Sequence, residues 1–241
     1  MGLRLAWLSD PGIHRQNNED YIAVRTELKS SDAVIVIADG MGGHASGQVA
    51  SKLVADTIVD EVAALDKLDG ERLHDVLAKA NTAVYEAAQS SAEHTGMGTT
   101  VVLVAIRHGR ATTLNVGDSP AYLIRSGEIS DIYQNHSWPA EQARAGIITA
   151  DQVAGHPMKH RLARAVGVWD QVKAYMTQVD LQLGDLIVLC SDGVEGAGVS
   201  VDEIRDNLDQ EDLQVAVEQL IALCVDRGAP DNVSVAVARV E

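Results

Sequence analysis

Apolar and polar positions along this chain follow two rhythms, one of period two and one of period 3.6. Leu3 to Leu8 alternates as an edge strand does, and Tyr21 to Val24 reads as a second strand after the polar stretch His14 to Asp20. Val34 to Ile37 is an unbroken β-branched run, which predicts a strand buried on both faces. It ends in Asp39-Gly40-Met41-Gly42-Gly43-His44, where an acid and glycines turn the backbone sharply. Val54, Ile58, Val62 and Leu65 then form the apolar stripe of a helix. A polar connector, Leu65 to Gly70, leads to a second helix from about Glu71 to Gln89, with Leu73, Val76, Leu77, Ala80, Val84 and Ala87 on one face. Two such helices in succession predict an antiparallel pair laid on a sheet.

Closely spaced runs follow. Thr99 to Ile106, Ala111 to Val116, Ala121 to Ile124 and Glu128 to Tyr133 are separated by turns at His108-Gly109, Gly117-Asp118-Ser119-Pro120 and Ser126-Gly127. This spacing predicts an antiparallel meander. From His136 to Val168 the pattern loosens: Trp138 to Ala145 reads as a short helix, Leu162 to Val166 as a further helical turn, and the whole as a mobile insertion beside a site. Val172 to Val179 and Leu186 to Cys190 read as strands, and Ser191-Asp192-Gly193 closes the second. Ser200 and Glu203 form a capping box, and Asp209 is the expected cap of a longer helix carrying Leu213, Val217, Leu220 and Cys224. Val233 to Val240 alternates as a last strand. With no repeat, low-complexity tract or linker, residues 1–241 are expected to form a single domain with an insertion at about 136–168.

Composition sharpens this picture in three ways. Phenylalanine is absent while 46% of residues are hydrophobic, so the core is built from Val, Leu, Ile and Ala. The formal net charge of -16 argues against nucleic acid or an anionic membrane surface as the main partner. Cys190 and Cys224 lack zinc-ligand spacing and read as buried thiols. Without a signal peptide or an apolar segment near ~20 residues, the expected location is cytoplasmic.

Charge is not evenly spent. Asp39-Gly40, Gly117-Asp118, Asp192-Gly193 and Asp231-Asn232 each place an Asp at a strand end or inter-strand turn, and Glu19-Asp20 precedes another strand. One such Asp is an ordinary turn residue. Several together point to carboxylates converging on one space, where they would repel and protonate unless cations neutralised them. Hard divalent ions with oxygen ligands, Mg²⁺ or Mn²⁺, suit such a set. Separate turn aspartates remain the alternative at this level.

The set Arg15…Asn18-Glu19-Asp20, Asp39-Gly40-Met41-Gly42-Gly43-His44, Gly98-Thr99-Thr100, Gly117-Asp118-Ser119, Ser191-Asp192-Gly193 and Asp231-Asn232 resembles the metal-dependent serine/threonine protein phosphatases, the phosphatase 2C-like family in its bacterial form. The motifs come in the family's order and span nearly the whole chain. The resemblance implies an α+β fold: a four-layer αββα sandwich of two stacked antiparallel sheets flanked by antiparallel helix pairs. It implies Mn²⁺ or Mg²⁺ as cofactor, two core ions and a third, weaker one. Asp39 would bridge the two core ions, the Gly40 carbonyl would complete one, and Asp192 and Asp231 would hold the other. Asp20 and Glu19 would act mainly through metal-bound waters, and Asp118 with Asp192 would hold the third ion. Arg15 would fork onto the substrate phosphate, a bidentate task lysine performs poorly. A water bridging two cations would lose its proton near neutral pH and attack phosphorus in line.

The implied activity is hydrolysis of phosphoserine and phosphothreonine on proteins. The implied partners are phosphorylated proteins, a serine/threonine kinase and its substrates among them. The pattern departs from the family at three places. Met41 stands where many members have histidine, leaving His44 as the nearest candidate general acid, with helix capping or a metal-bound water as alternatives. Pro120 replaces an arginine, and Asn135-His136-Ser137 replaces Asp-His-Ser. These departures motivate a competing reading as a non-catalytic phosphoprotein-binding or sensor module. A dinucleotide-binding reading of Gly40-x-Gly42 fails because Asp39 would repel a pyrophosphate and the hairpins do not suit a parallel sheet.

Overall fold

β-branched runs that bury both faces must be covered twice, and the computed structural model shows how. It describes residues 2–26, 32–42 and 46–241. In chain order these form β1 (Leu3–Asp10), β2 (Asp20–Arg25), β3 (Ala33–Met41), α1 (Ser46–Ala64), α2 (Gly70–Ser90), β4 (Gly98–Thr99), β5 (Val101–Arg107), β6 (Arg110–Val116), β7 (Ala121–Arg125) and β8 (Glu128–Asp131). There follow α3 (Trp138–Arg144), α4 (Asp151–Ala154), β9 (Tyr175–Asp180), β10 (Leu186–Cys190), α5 (Gly193–Gly196), α6 (Val201–Leu208), α7 (Leu213–Asp226) and β11 (Val233–Val240). One antiparallel sheet has the order β1-β11-β10-β7-β8 and the other β2-β3-β5-β6-β9, with β4 added at the end of β3.

The period of two decides which layer each side chain enters. On β3, Val34, Val36 and Ala38 face α1 and α2, meeting Val54, Ile58, Leu73 and Leu77. Ile35 and Ile37 face the other sheet, meeting Ile187, Leu189, Ala236 and Ala238. On the far side, Val188, Cys190, Val235 and Val237 pack under α6 and α7 against Leu208, Val217, Leu220 and Cys224. Three apolar layers thus separate four layers of secondary structure, the expected αββα order. Both cysteines are buried and unpaired, as the sequence indicates. Truncating a fully buried residue such as Ile37 to Ala would cost roughly 2–5 kcal/mol, because rigid strands on both sides cannot close the void.

Three local expectations are corrected. The run from Thr99 to Tyr133 is not a continuous meander: β6 pairs with β5 and β9, whereas β7 pairs with β10 and β8, so Gly117–Pro120 carries the chain from one sheet to the other. Leu162 to Val166 is not helical. Leu162 bridges Ser137 and Val166 bridges Thr99, which makes the segment a strap. The cap of α7 is Asp212, whose side chain accepts from Gln214 and Val215 N–H; Asp209 instead ends α6. The sequence offers two acids three residues apart, and the one adjoining the apolar stripe wins. The capping box of Ser200 and Glu203 is present.

Candidate metal centre

The acids arrive at one end of the sandwich because strands from both sheets finish there. β2 and β3 pair with Asp20 directly opposite Asp39. Thr100 N–H donates to the Asp39 carbonyl at 2.8 Å, and Thr100 Oγ1 accepts from Asp39 N–H at 3.0 Å. The same hydroxyl meets Ser119 Oγ at 2.7 Å, so the loop bearing Asp118 is tied to the strand bearing Asp39. Two glycines make close backbone contacts that no side chain would permit. A Cβ on Gly40 would lie 2.1 Å from the Gly47 carbonyl at the start of α1, and one on Gly193 would lie 1.9 Å from the Asn232 carbonyl. The second contact sets Asp192 and Asp231 beside each other. Asn232 then stitches the Arg15–Asp20 loop in place: its Oδ1 accepts from Glu19 N–H at 2.8 Å, and its Nδ2 donates to the carbonyls of Pro11 and Asn17.

The result is a cavity of about 530 Å³ lined by Arg15, Glu19, Asp39, Gly40, Asp118, Asp192 and Asp231. Every one of these was singled out from the sequence. Asp20 lies behind it, almost fully buried, at the end of a directed chain. Asn18 Nδ2 donates to Ser9 Oγ (2.7 Å), Ser9 meets Ser234 (2.7 Å), and Ser234 Oγ donates to Asp20 Oδ2 (2.7 Å). Met41 lines the cavity where many relatives of the resembled family carry histidine. His44 lies outside the described residues.

The electrostatics are those of crowded anions. Burial raises the Asp39 carboxyl well above its ordinary range, and the charges of Asp20, Asp192 and Asp118 add to it. A hydrogen bond between the Asp39 and Asp192 carboxyls raises Asp39 further and works against the rise of Asp192. Burial likewise pushes Asp20 and Asp118 each to about 7, with Asp192 contributing in both cases. Asp192 is raised by burial, partly offset by its bond to Asp39. Glu19 is raised by burial, against the pull of Arg15. Arg15 Nη2 donates to Asp231 Oδ2 at 2.7 Å, an exposed pair at the cavity mouth.

Two observations test whether a divalent ion suits this place. Glu19 Oε1 and Asp20 Oδ1 are buried without a hydrogen-bond partner, an arrangement that costs free energy unless a cation or its water shell meets them. Among the described residues, no three His, Cys, Asp or Glu side chains close on a single point to cage an ion by themselves. Mg²⁺ and Mn²⁺ do not require that: they retain several waters and take one or two carboxylates each. The donor set, all oxygen and spread around a 530 Å³ space, therefore fits hydrated hard cations and not zinc.

The structure also accounts for the two departures outside the cavity floor. Asn135 Oδ1 accepts from Ser137 N–H at 2.7 Å, which an asparagine does as well as an aspartate. Pro120 is buried, and its carbonyl accepts from Cys190 N–H at 3.0 Å, holding the crossover to the exit of β10. Neither change removes a cavity acid, which weakens the sensor-module reading. The cavity lining also holds an ionisable residue the sequence did not single out. His160, from the strap region, lines the cavity with Leu162, and its charge lowers the Asp192 carboxyl. Its only sequence signal is its place within the irregular segment 136–168.

With this geometry in view, comparison with known proteins is informative. The family described as Protein phosphatase 2C matches residues 13–235. The serine/threonine protein phosphatase PstP of Mycobacterium tuberculosis is 34% identical over 99% of this chain, which spans 45% of that protein's length. Protein phosphatase PhpP of Streptococcus pneumoniae is 31% identical over 97% of this chain and 96% of its own length. The S. agalactiae serine/threonine phosphatase structure has a TM-score of 0.91 at 32% identity, covering 99% of this chain and all (100%) of the other. A structure of the PstP catalytic domain in complex with two manganese ions has a TM-score of 0.84 at 31% identity, covering 99% of each chain. The chain belongs to the protein phosphatase 2C family, in its bacterial serine/threonine form.

Proposed function

We propose that residues 1–241 act as one metal-dependent protein phosphatase domain that hydrolyses phosphoserine and phosphothreonine on proteins. The observation that carries this reading is the convergence of Arg15, Asp39, Asp118, Asp192 and Asp231 on one cavity backed by orphaned carboxylate oxygens. Asp39, the Gly40 carbonyl, Asp192 and Asp231 would hold two Mn²⁺ or Mg²⁺ ions, with Glu19 and Asp20 reaching their water shells. Asp118 with Asp192 would hold a third. When bound, the ions supply a water of lowered pKa and neutralise charge on the phosphate.

The chain's own residues do the rest. Arg15 is paired with Asp231 across the cavity mouth, and a phosphate offers the same planar fork two acceptors. A cation on Asp231 and a phosphate on Arg15 would therefore replace one ion pair with two. Thr100 and Asn232 keep Asp39 and Glu19 in register while this exchange occurs. Segment 136–168 serves as a flap, bringing His160 and Leu162 to the cavity wall, where a phosphopeptide would pass. His44 is the chain's own candidate for protonating the leaving alkoxide.

One more feature supports a protein substrate at an open site. The cavity is about 530 Å³ with Arg15 and Asp231 half-exposed at its mouth, so a side-chain phosphate can enter without the rest of its chain. The test is phosphate release from p-nitrophenyl phosphate and from a phosphothreonine peptide, with Mn²⁺, with Mg²⁺ and with EDTA. Metal-dependent release from both substrates is expected. Full turnover in EDTA would overturn the reading, and peptide binding without turnover at saturating Mn²⁺ would favour the sensor module.

A further inference from the structure

His136 has no place in the chemistry above, yet it is fully buried and bonds twice to the loop of Asp118 and once to the strap. Its backbone N–H donates to the Gly117 carbonyl at 3.0 Å, and its own carbonyl accepts from Ala163 N–H at 2.9 Å. Its Nδ1 accepts from Gly117 N–H at 3.2 Å, which leaves the ring proton on Nε2. One residue thus satisfies both backbone groups of Gly117, the residue before Asp118. The residue after it, Ser119, is held by Thr100 at 2.7 Å. Gly117 has φ +103, and a Cβ there would meet Thr100 Cγ2 at 2.6 Å, so the loop has one backbone path.

The other side of the imidazole faces the flap. Arg164 Nη1 lies 3.3 Å from Nε2, and Arg164 Nη2 pairs with Glu141 of α3 at 2.8 Å. Arg164 comes from the strap, Glu141 from the helix at the flap's other end. Arg164 thus links the strap to α3 through Glu141 and packs against the ring that holds Gly117, a contact between two N–H donors and not a hydrogen bond.

We infer that His136 is a positioning residue that couples the flap to the Asp118 carboxylate, so that flap placement sets how well Asp118 meets its cation. This rests on the reading of Asp118 as a ligand of the third ion. Among the described residues no hydrogen bond from another residue fixes the Asp118 carboxylate, whereas its two neighbours are anchored to different elements. Displacing Arg164 or Glu141 moves the His136 ring, and the ring carries Gly117 with it.

The experiment measures Mn²⁺ binding by calorimetry on the full chain, alongside KM and kcat with p-nitrophenyl phosphate and a phosphothreonine peptide. His136→Leu is expected to weaken the weakest Mn²⁺ site by about tenfold while leaving the two tighter ions in place, since only that site depends on Asp118. His136→Asn, whose Oδ1 can accept from Gly117 N–H as Nδ1 does, is expected to restore most of the loss, which a role in core filling alone would not. Arg164→Met is expected to weaken the same site a few-fold and to raise KM for the peptide more than for p-nitrophenyl phosphate.

Unchanged Mn²⁺ binding in folded His136→Leu overturns the proposal. If His136→Leu does not fold, unchanged Mn²⁺ binding in Arg164→Met, whose side chain is partly exposed, overturns it instead. Asp118→Asn separates the two levels. If it leaves Mn²⁺ binding intact, the ligand reading of Asp118 fails and this coupling with it. If it removes the weakest ion while His136→Leu does not, only the coupling fails.

Discussion

The two ends of β10 carry the same residue in opposite circumstances. Asp185 precedes the strand and is 1% exposed, yet it is fully answered from within the chain. Arg125 Nε and Nη2 take its two oxygens at 2.8 and 2.6 Å, and Gln182 N–H adds a third bond at 2.7 Å. Asp192 follows the strand and, among the described residues, bonds to no arginine; burial raises it, and the charges of Asp231 and Glu195 add to this against the bond from Asp39. The first end is a closed ion pair that locks a turn. The second is a set of carboxylates that the fold brings together and does not neutralise. A buried charge without an internal partner is costly, and the cations proposed for this cavity would offset that cost.

The contrast can be broken at either end. The largest expected effect is Asp192→Asn or Asp39→Asn, which should lower Mn²⁺-dependent turnover of p-nitrophenyl phosphate by about 10³-fold or more while the chain stays folded. Circular dichroism and a metal-free melting curve check the fold; a variant that keeps its activity would contradict the metal-centre assignment. At the closed end the effect should move from activity to stability. Arg125→Met strands Asp185, and urea denaturation should show a clear loss of stability, with kcat unchanged below the transition. A loss of activity without a loss of stability would reverse the roles assigned to the two ends.

Saturating Mn²⁺ tells the ends apart without altering chemistry. At a hundredfold excess over Kd it should stabilise the wild type by about 2.7 kcal/mol per site. That gain should survive Ser200→Ala and vanish largely in Asp192→Asn, as read by thermal shift.

Acidification sharpens the comparison at the flap base. Burial and the nearby Arg164 push the His136 imidazole down to about 4. Between that value and the unfolded value near 6.5, the unfolded chain binds a proton that the native ring refuses, so stability falls as pH is lowered through this window. From pH 7 to pH 5 the imidazole alone should contribute a loss of about 2 kcal/mol, read as the difference between the urea-midpoint shifts of the wild type and His136→Asn, in which the opposing gain from the raised carboxyls cancels. The smallest effect should come from the capping box: Ser200→Ala removes the acceptor for Glu203 N–H and should cost about 1 kcal/mol, with no change in Mn²⁺ binding.

Much of the molecule was legible in the chain, and the reasons are local. A β-branched run such as Val34 to Ile37 can only be a buried strand, and the stripes of α1, α2 and α7 can only be covered helices. Aspartates closing apolar runs announce themselves because turn chemistry is written within a few residues. What could not be read depends on which strand pairs with which. Gly117-Asp118-Ser119-Pro120 looks like any hairpin turn, but it crosses between sheets because β7 finds β10 and not β6. The strap at Leu162 to Val166 looks weakly helical, but backbone bridges to Ser137 and Thr99 draw it out. His160 enters the cavity, and His136 reaches Gly117, through contacts with residues far off in sequence.

The chain by itself thus determined the elements, the layer each face enters and the identity of the cavity acids, since periodicity and turn preference act over a few residues. Tertiary structure alone decided that those acids meet, that Asp185 is neutralised while Asp192 is not, and that the flap base grips the Asp118 loop. Coulombic and hydrogen-bonding partners are chosen by distance in space, and that distance is fixed only once the two sheets have stacked.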